Sequence, residues 1–88
     1  MDRIEEQKEI LEFFGVNTQK KKLEEELSEL KTVFFLDRHD RIVSKLADVY
    51  NLILQLIGHY GAKEIFDYSN GKTMRTKRRI KSGYYKKV

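Results

Sequence analysis

Residues 44–57 read SKLADVYNLILQLI, a run whose apolar side chains occupy most of a helical circumference while Asp48 and Asn51 interrupt it. An ordinary surface helix buries an apolar arc of little more than about 100°. The set Ile42, Leu46, Tyr50, Ile53 and Ile57, flanked by Val43, Val49, Leu52, Leu54 and Leu56, is broader than that. This helix is expected at the centre of a bundle or at a subunit interface. On it Ser44, Asp48, Asn51 and Gln55 fall within roughly 60° of one another, opposite the main apolar stripe, as a narrow polar seam. Each polar group on so apolar a helix needs water or a partner.

Working outward, proline is absent and the periodicity is helical throughout. Residues 2–14 form a first helix ending at Gly15. Asn17 or Thr18 is expected to cap a second helix to about Leu36, with Leu23, Leu27, Leu30 and Phe34 as its stripe. Asp37 or Asp40 is expected to cap the third helix, which Gly58 and Gly61 end. Residues 62–82 are helical again, with a break expected at Ser69-Asn70-Gly71 because Asn-Gly favours a turn. The fold class is all-α: an antiparallel bundle of four to five helices in one domain, residues 1–88, completed by oligomerisation. A chain of 88 residues has a small core, and the breadth of the third helix points to a homodimer or a dimer of dimers.

Composition narrows the function classes. The chain has no cysteine, which excludes disulfide frameworks and thiolate metal sites. No apolar run approaches the roughly 20 residues of a membrane span, and the charged start MDRIEEQKE lacks the core of a signal peptide. A soluble cytoplasmic protein is expected. The net charge of +4 is uneven: eight of the 18 Lys and Arg lie in residues 72–88, which hold no acid. Such a segment attracts phosphate-bearing partners.

The second helix carries LEEELSEL, with Glu24, Glu25, Glu26 and Glu29 inside two turns. Glu26 lies about 60–70° from the centre of the leucine stripe and Glu29 a further 60° or so round, which puts Glu26 at the edge of the buried face. Carboxylates so spaced repel one another; a hard divalent cation with oxygen ligands turns that repulsion into binding.

The order KLEEELSEL, a short turn, SKLADVYNLILQLIGHYG and the basic KTMRTKRRIKSGYYK resembles the all-α nucleoside triphosphate pyrophosphohydrolases of the MazG type, the small phage-encoded members being nearest in shape. The resemblance runs from about Ile10 to Tyr85. It implies Mg²⁺ held against a nucleoside triphosphate by an E-x-x-E pair on one helix and an E-x-x-D pair on the next, and hydrolysis to a monophosphate and pyrophosphate. Glu26 and Glu29 match the first pair, with Glu25 as an accessory ligand; Asp48 ends the second. Glu26 or Glu29 would orient or deprotonate the attacking water. Asn51 would contact the nucleotide, and Lys72, Arg75 and Arg79, on one helical face, its phosphates.

One position departs from the pattern. Where the family has the Glu of E-x-x-D, this chain has Lys45. An ammonium there supplies the charge of the missing cation and is expected to form a salt-bridged cluster with Glu26 and Asp48, weakening metal binding and turnover. A catalytically inactive helical oligomer that binds nucleotide or a protein partner is the alternative. A nucleic-acid binder using the basic segment, with Tyr84 and Tyr85 stacking on bases, is the second. His39 and His59 sit in no ligand spacing, and there is no Gly-rich phosphate loop.

Overall fold

The first helix, α1 (Arg3–Phe14), starts at Asp2, whose side chain accepts a hydrogen bond from the Ile4 N–H at 3.0 Å, while Glu5 and Glu6 face the positive end of the helix dipole. The computed structural model describes residues 2–86, and among them four helices and no strand; Lys87, in the basic segment, lies outside. Gly15, at φ 89°, closes α1 through its N–H to the Leu11 carbonyl and also opens α2 (Val16–Leu36). One residue makes the turn, so Asn17 and Thr18 fall inside the first turn of α2 and neither caps it. Asp37 is in the left-handed region at φ 52°, where aspartate is better tolerated than most residues. Its N–H reaches the Phe34 and Val33 carbonyls, so it closes α2 rather than capping α3 (His39–Tyr60). Arg38 precedes α3 with no side-chain cap, and Asp40 lies in its first turn.

Gly61, at φ 124°, ends α3, and α4 (Ala62–Lys81) follows at once. The helix runs through Ser69-Asn70-Gly71 without the expected break. Gly71 does not take the positive φ that an Asn-Gly turn uses. A helical glycine costs only about 1 kcal/mol relative to alanine, and the helix-forming stretches on both sides carry it.

Cross-helix contacts fix the topology. Gln19 pairs with Gln55 and Glu26 with Lys45, so residue numbers rise on α2 as they fall on α3 and the two lie antiparallel. The α2–α3 core is Leu30, Val33 and Val49, with Leu23 and Ile42 packed against it; Leu11, Leu52 and Leu54 are also buried. α1 lies across α3 and also touches α2, whereas α4 touches α3 alone. No residue of α4 is buried. The radius of gyration is 16.1 Å, against about 12 Å for a compact chain of this length, because a 20-residue helix stands clear of the bundle. Among the described residues no helix is long and apolar enough to cross a membrane.

The buried faces differ from the expected stripes. On α2 the buried series is Gln19, Glu26, Leu30 and Val33, with Leu27 and Phe34 half open. On α3 the buried series is Val49, Leu52, Leu54 and Gln55, while Leu46, Tyr50 and Ile53 are open. Of the polar seam only Gln55 thus turns inward, Ser44 and Asp48 staying exposed, while part of the apolar stripe lies open. A chain of amides explains the burial of Gln55: Gln19 Nε2 donates to Gln55 Oε1 at 2.8 Å, and Gln55 Nε2 donates to Gln7 Oε1 at 2.9 Å. All three glutamines are buried, and the network lets Gln55 enter the contact among three helices; among the described residues no buried side-chain polar atom is left unpaired.

Where α1 crosses α3, Gly58 lets the helices approach. A Cβ there would sit 2.9 Å from Ile4 Cγ2, and a β-branched side chain cannot swing away. Gly58→Ala is therefore expected to destabilise the chain by about 1 kcal/mol, overpacking outweighing the gain in helix propensity. In an Ile4→Ala background the same change should stabilise by up to about 1 kcal/mol. Urea unfolding of the four proteins checks the reversal.

Candidate functional site

Antiparallel packing of α2 on α3 brings Glu26, Glu29, Lys45 and Asp48 together. Glu26 is held at the helix contact, its side chain only 8% exposed, because position 26 falls in the buried series with Leu30 and Val33. Lys45 Nζ donates to Glu26 Oε2 at 2.8 Å and to Glu29 Oε2, with Asp48 Oδ2 at 3.7 Å. On the other side of Glu26, Lys22 Nζ lies 3.3 Å from Oε1, one helical turn earlier. Two ammonium groups thus face three carboxylates, and both oxygens of Glu26 are engaged.

The electrostatics follow from this geometry. The hydrogen bond from Lys45 holds the Glu26 carboxyl below its ordinary value of 4.5; burial opposes this, and Lys22 adds to it. Lys45 is pushed above its ordinary 10.5 by the hydrogen bonds to Glu26 and Glu29, against partial desolvation. A carboxyl with a depressed pKa contributes stability above its unfolded value, lost as pH falls through the folded one. A lysine with a raised pKa contributes stability below its unfolded value, lost as pH rises through the folded one. Thermal stability is therefore expected to hold between these limits, to fall as pH drops below about 4.5 and to fall again above about 10.5. Lys45→Met should remove most of the acid-side loss, which melting curves across pH would reveal.

Beside this cluster, Gln19, Lys22, Glu26, Asp48, Asn51 and Leu52 line an open groove of about 350 Å³. Asn51 is held by Arg3, whose Nη2 donates to Oδ1 at 3.0 Å while its guanidinium lies 5.7 Å from the Tyr50 ring centre. Arg3, Gln7 and Gln19 are parts of the site's surroundings that sequence reasoning missed, whereas Gln55 was already placed in the polar seam. The Lys22–Glu26 spacing of four was a readable signal; the Arg3–Asn51 pair, 48 residues apart, offered none.

Other expected site residues lie elsewhere. Glu25 is exposed and faces a neighbouring groove with Phe14, Thr18 and Lys21, which shares Gln19 and Lys22 with the first, because it is a full helical step round from Glu26. Lys72 and Arg75 border grooves along α4 beside Tyr68, and Arg79 lies over the Tyr84 ring at 4.6 Å. Since α4 touches neither α1 nor α2, one copy does not bring these three to the Lys45 cluster. His59 packs edge-on against Tyr60.

The residues do not fit a resident Mg²⁺. A hard cation needs free carboxylate oxygens converging on one point, and here the lysine ammonium stands at the point where Glu26 and Glu29 converge. Among the described residues no group of three or more His, Cys, Asp or Glu is arranged to hold a metal ion. Compared with known proteins, the chain matches no family model, no curated protein and no solved structure.

Proposed function

We propose that this chain is a MazG-like helical oligomer that binds the phosphates of a nucleoside triphosphate and whose pyrophosphohydrolase chemistry is silenced by Lys45. The observation that carries the reading is the Lys45 ammonium bonded to Glu26 and Glu29, with Asp48 beside it. This is the place where the family pattern would put a fourth carboxylate. Support for the MazG-like frame comes from the order of the helices and from the antiparallel packing that brings the two acidic motifs face to face. In this reading Asp48 belongs to a charge-balanced cluster, and the groove beside it, with Lys22 and Asn51 at its edge, receives the nucleotide. Lys72, Arg75 and Arg79 contact the phosphates of a nucleotide bound to a neighbouring copy.

Titration calorimetry with a nonhydrolysable triphosphate tests the binding half of the proposal. Binding is expected with or without Mg²⁺, and Arg75→Ala or Arg79→Ala should weaken it by about 1.5–3 kcal/mol, the range for hydrogen bonds to charged groups. The native chain should release little pyrophosphate from nucleoside triphosphates in Mg²⁺.

A second reading rests on α4 itself, a basic helix standing clear of the bundle. Such a helix suits a nucleic-acid backbone, with Tyr84 and Tyr85 at its end. Binding to DNA or RNA at physiological salt without any triphosphate binding would favour that reading over the first.

A further inference from the structure

The triphosphate reading employs Lys72, Arg75 and Arg79 and leaves Lys77, Arg78 and Lys81 without a role. At about 100° per residue the first three share one flank of α4, and the other three lie on the opposite flank. Between the two rows runs an uncharged strip about 60° wide, Ser69, Thr73, Thr76 and Ile80, bordered by Lys72 on one side and Lys77 on the other. An open groove follows this strip from Ile65 to Lys77, and residues of α4 alone line it. Nothing neutralises the rows. Among the described residues none of these cations forms a salt bridge, whereas Lys22, Lys45 and Lys63 do. Like charges one turn apart, such as Arg75 with Arg79 and Lys77 with Lys81, repel along a helix of which no residue is buried.

We infer, on the reading that α4 meets nucleic acid, that this helix enters the major groove of duplex DNA, its uncharged strip on the groove floor and one row of cations on the phosphates of each wall. A partner with phosphate on one side only would leave a row without counter-charge. A helix about 10–12 Å across fits a major groove about 12 Å wide, and α4 is accessible, since it touches α3 alone. On the floor, Ser and Thr hydroxyls bond to base edges and Thr methyls meet the thymine methyl. Thr76 Oγ1 donates to the Lys72 carbonyl at 3.0 Å, which leaves its lone pairs for a donor on a base. Other polyanions fit less well. The major groove of A-form RNA is too deep and narrow for side chains to read. A single strand needs aromatic platforms along the cations, and Tyr84 is already packed against Arg79 and Tyr85. A membrane surface needs one apolar face, whereas Met74 and Ile80 point about 120° apart.

Lys77, Arg78 and Lys81 serve the duplex alone, so they separate it from the triphosphate. The full chain is titrated into a short labelled DNA duplex, its single strand, the RNA duplex of the same sequence, and phosphatidylserine vesicles. The DNA duplex should bind most tightly. With about six phosphate contacts its affinity should fall about 1,000-fold between about 50 and 200 mM salt. Lys77→Ala, Arg78→Ala and Lys81→Ala together should reduce that fall to about 40-fold; all three side chains are exposed, so the bundle stays folded. Bound protein should shield guanine N7, which lies in the major groove, from methylation by dimethyl sulfate. A single strand or RNA duplex bound as tightly as the DNA duplex would overturn the groove placement and leave the nucleic-acid reading standing. An unshielded N7, or an unchanged salt dependence in the triple variant, would do the same. Vesicles bound as tightly as DNA, or no binding to any nucleic acid, would overturn both.

Discussion

Gln55→Leu is expected to destabilise the chain by about 2–4 kcal/mol, lowering its melting temperature by roughly 10–25 °C at fixed concentration. The change removes both bonds of the Gln7–Gln55–Gln19 chain and strands an acceptor on α1 and a donor on α2. Each stranded buried group costs about 1–3 kcal/mol, whereas replacing all members of such a network with apolar side chains is often close to neutral. Leucine at positions 7, 19 and 55 together should therefore recover much of the loss. Thermal melts followed by circular dichroism separate the two cases. A single variant within about 0.5 kcal/mol of the native protein would mean that the amides do not hold the three helices together.

The same network explains what the sequence concealed. Helix order was legible from apolar periodicity, and the pairing of the acidic motif on α2 with Lys45 and Asp48 was an expectation from the family resemblance, helical spacing giving only which residues share a face. Which side of α3 faces inward was not. Periodicity assigns Leu46, Tyr50 and Ile53 to a buried stripe, yet all three lie open in the chain; of the polar seam Gln55 turns inward, because three glutamines satisfy one another. That pairing joins residues 36 and 48 apart in sequence, and no local rule registers it. The caps failed for a simpler reason. Gly15 and Asp37 turn the chain through their backbone conformation, leaving no need for the side-chain caps that Asn17, Thr18 or Asp40 offered. Asn70-Gly71 is the opposite case, a turn signal overridden because the helix continues favourably on both sides.

Lys45→Glu is the change with the largest expected effect on the site. It replaces an ammonium in contact with Glu26 and Glu29 by a fourth carboxylate, a swing of two charge units at the point where a divalent cation would sit. Without metal the variant should lose stability, since four acids then face one another with only Lys22 in reach. With Mg²⁺ its melting temperature should recover, while the native chain should show no Mg²⁺ response. Metal affinity should rise by more than about 100-fold, beyond the 10–100-fold that groups outside the ligand shell control. Asp48→Ala in the Lys45→Glu background should reverse the gain.

The most direct measurement of whether Lys45 stands in for a metal is a calorimetric titration of Mg²⁺ into the native, Lys45→Glu and Lys45→Glu/Asp48→Ala proteins, with pyrophosphate release from a nucleoside triphosphate followed in the same samples. Saturable Mg²⁺ binding and pyrophosphate release confined to the single variant are the result expected here. Native protein that binds Mg²⁺ and releases pyrophosphate as well as Lys45→Glu, or a Lys45→Glu protein that does neither, would contradict the account.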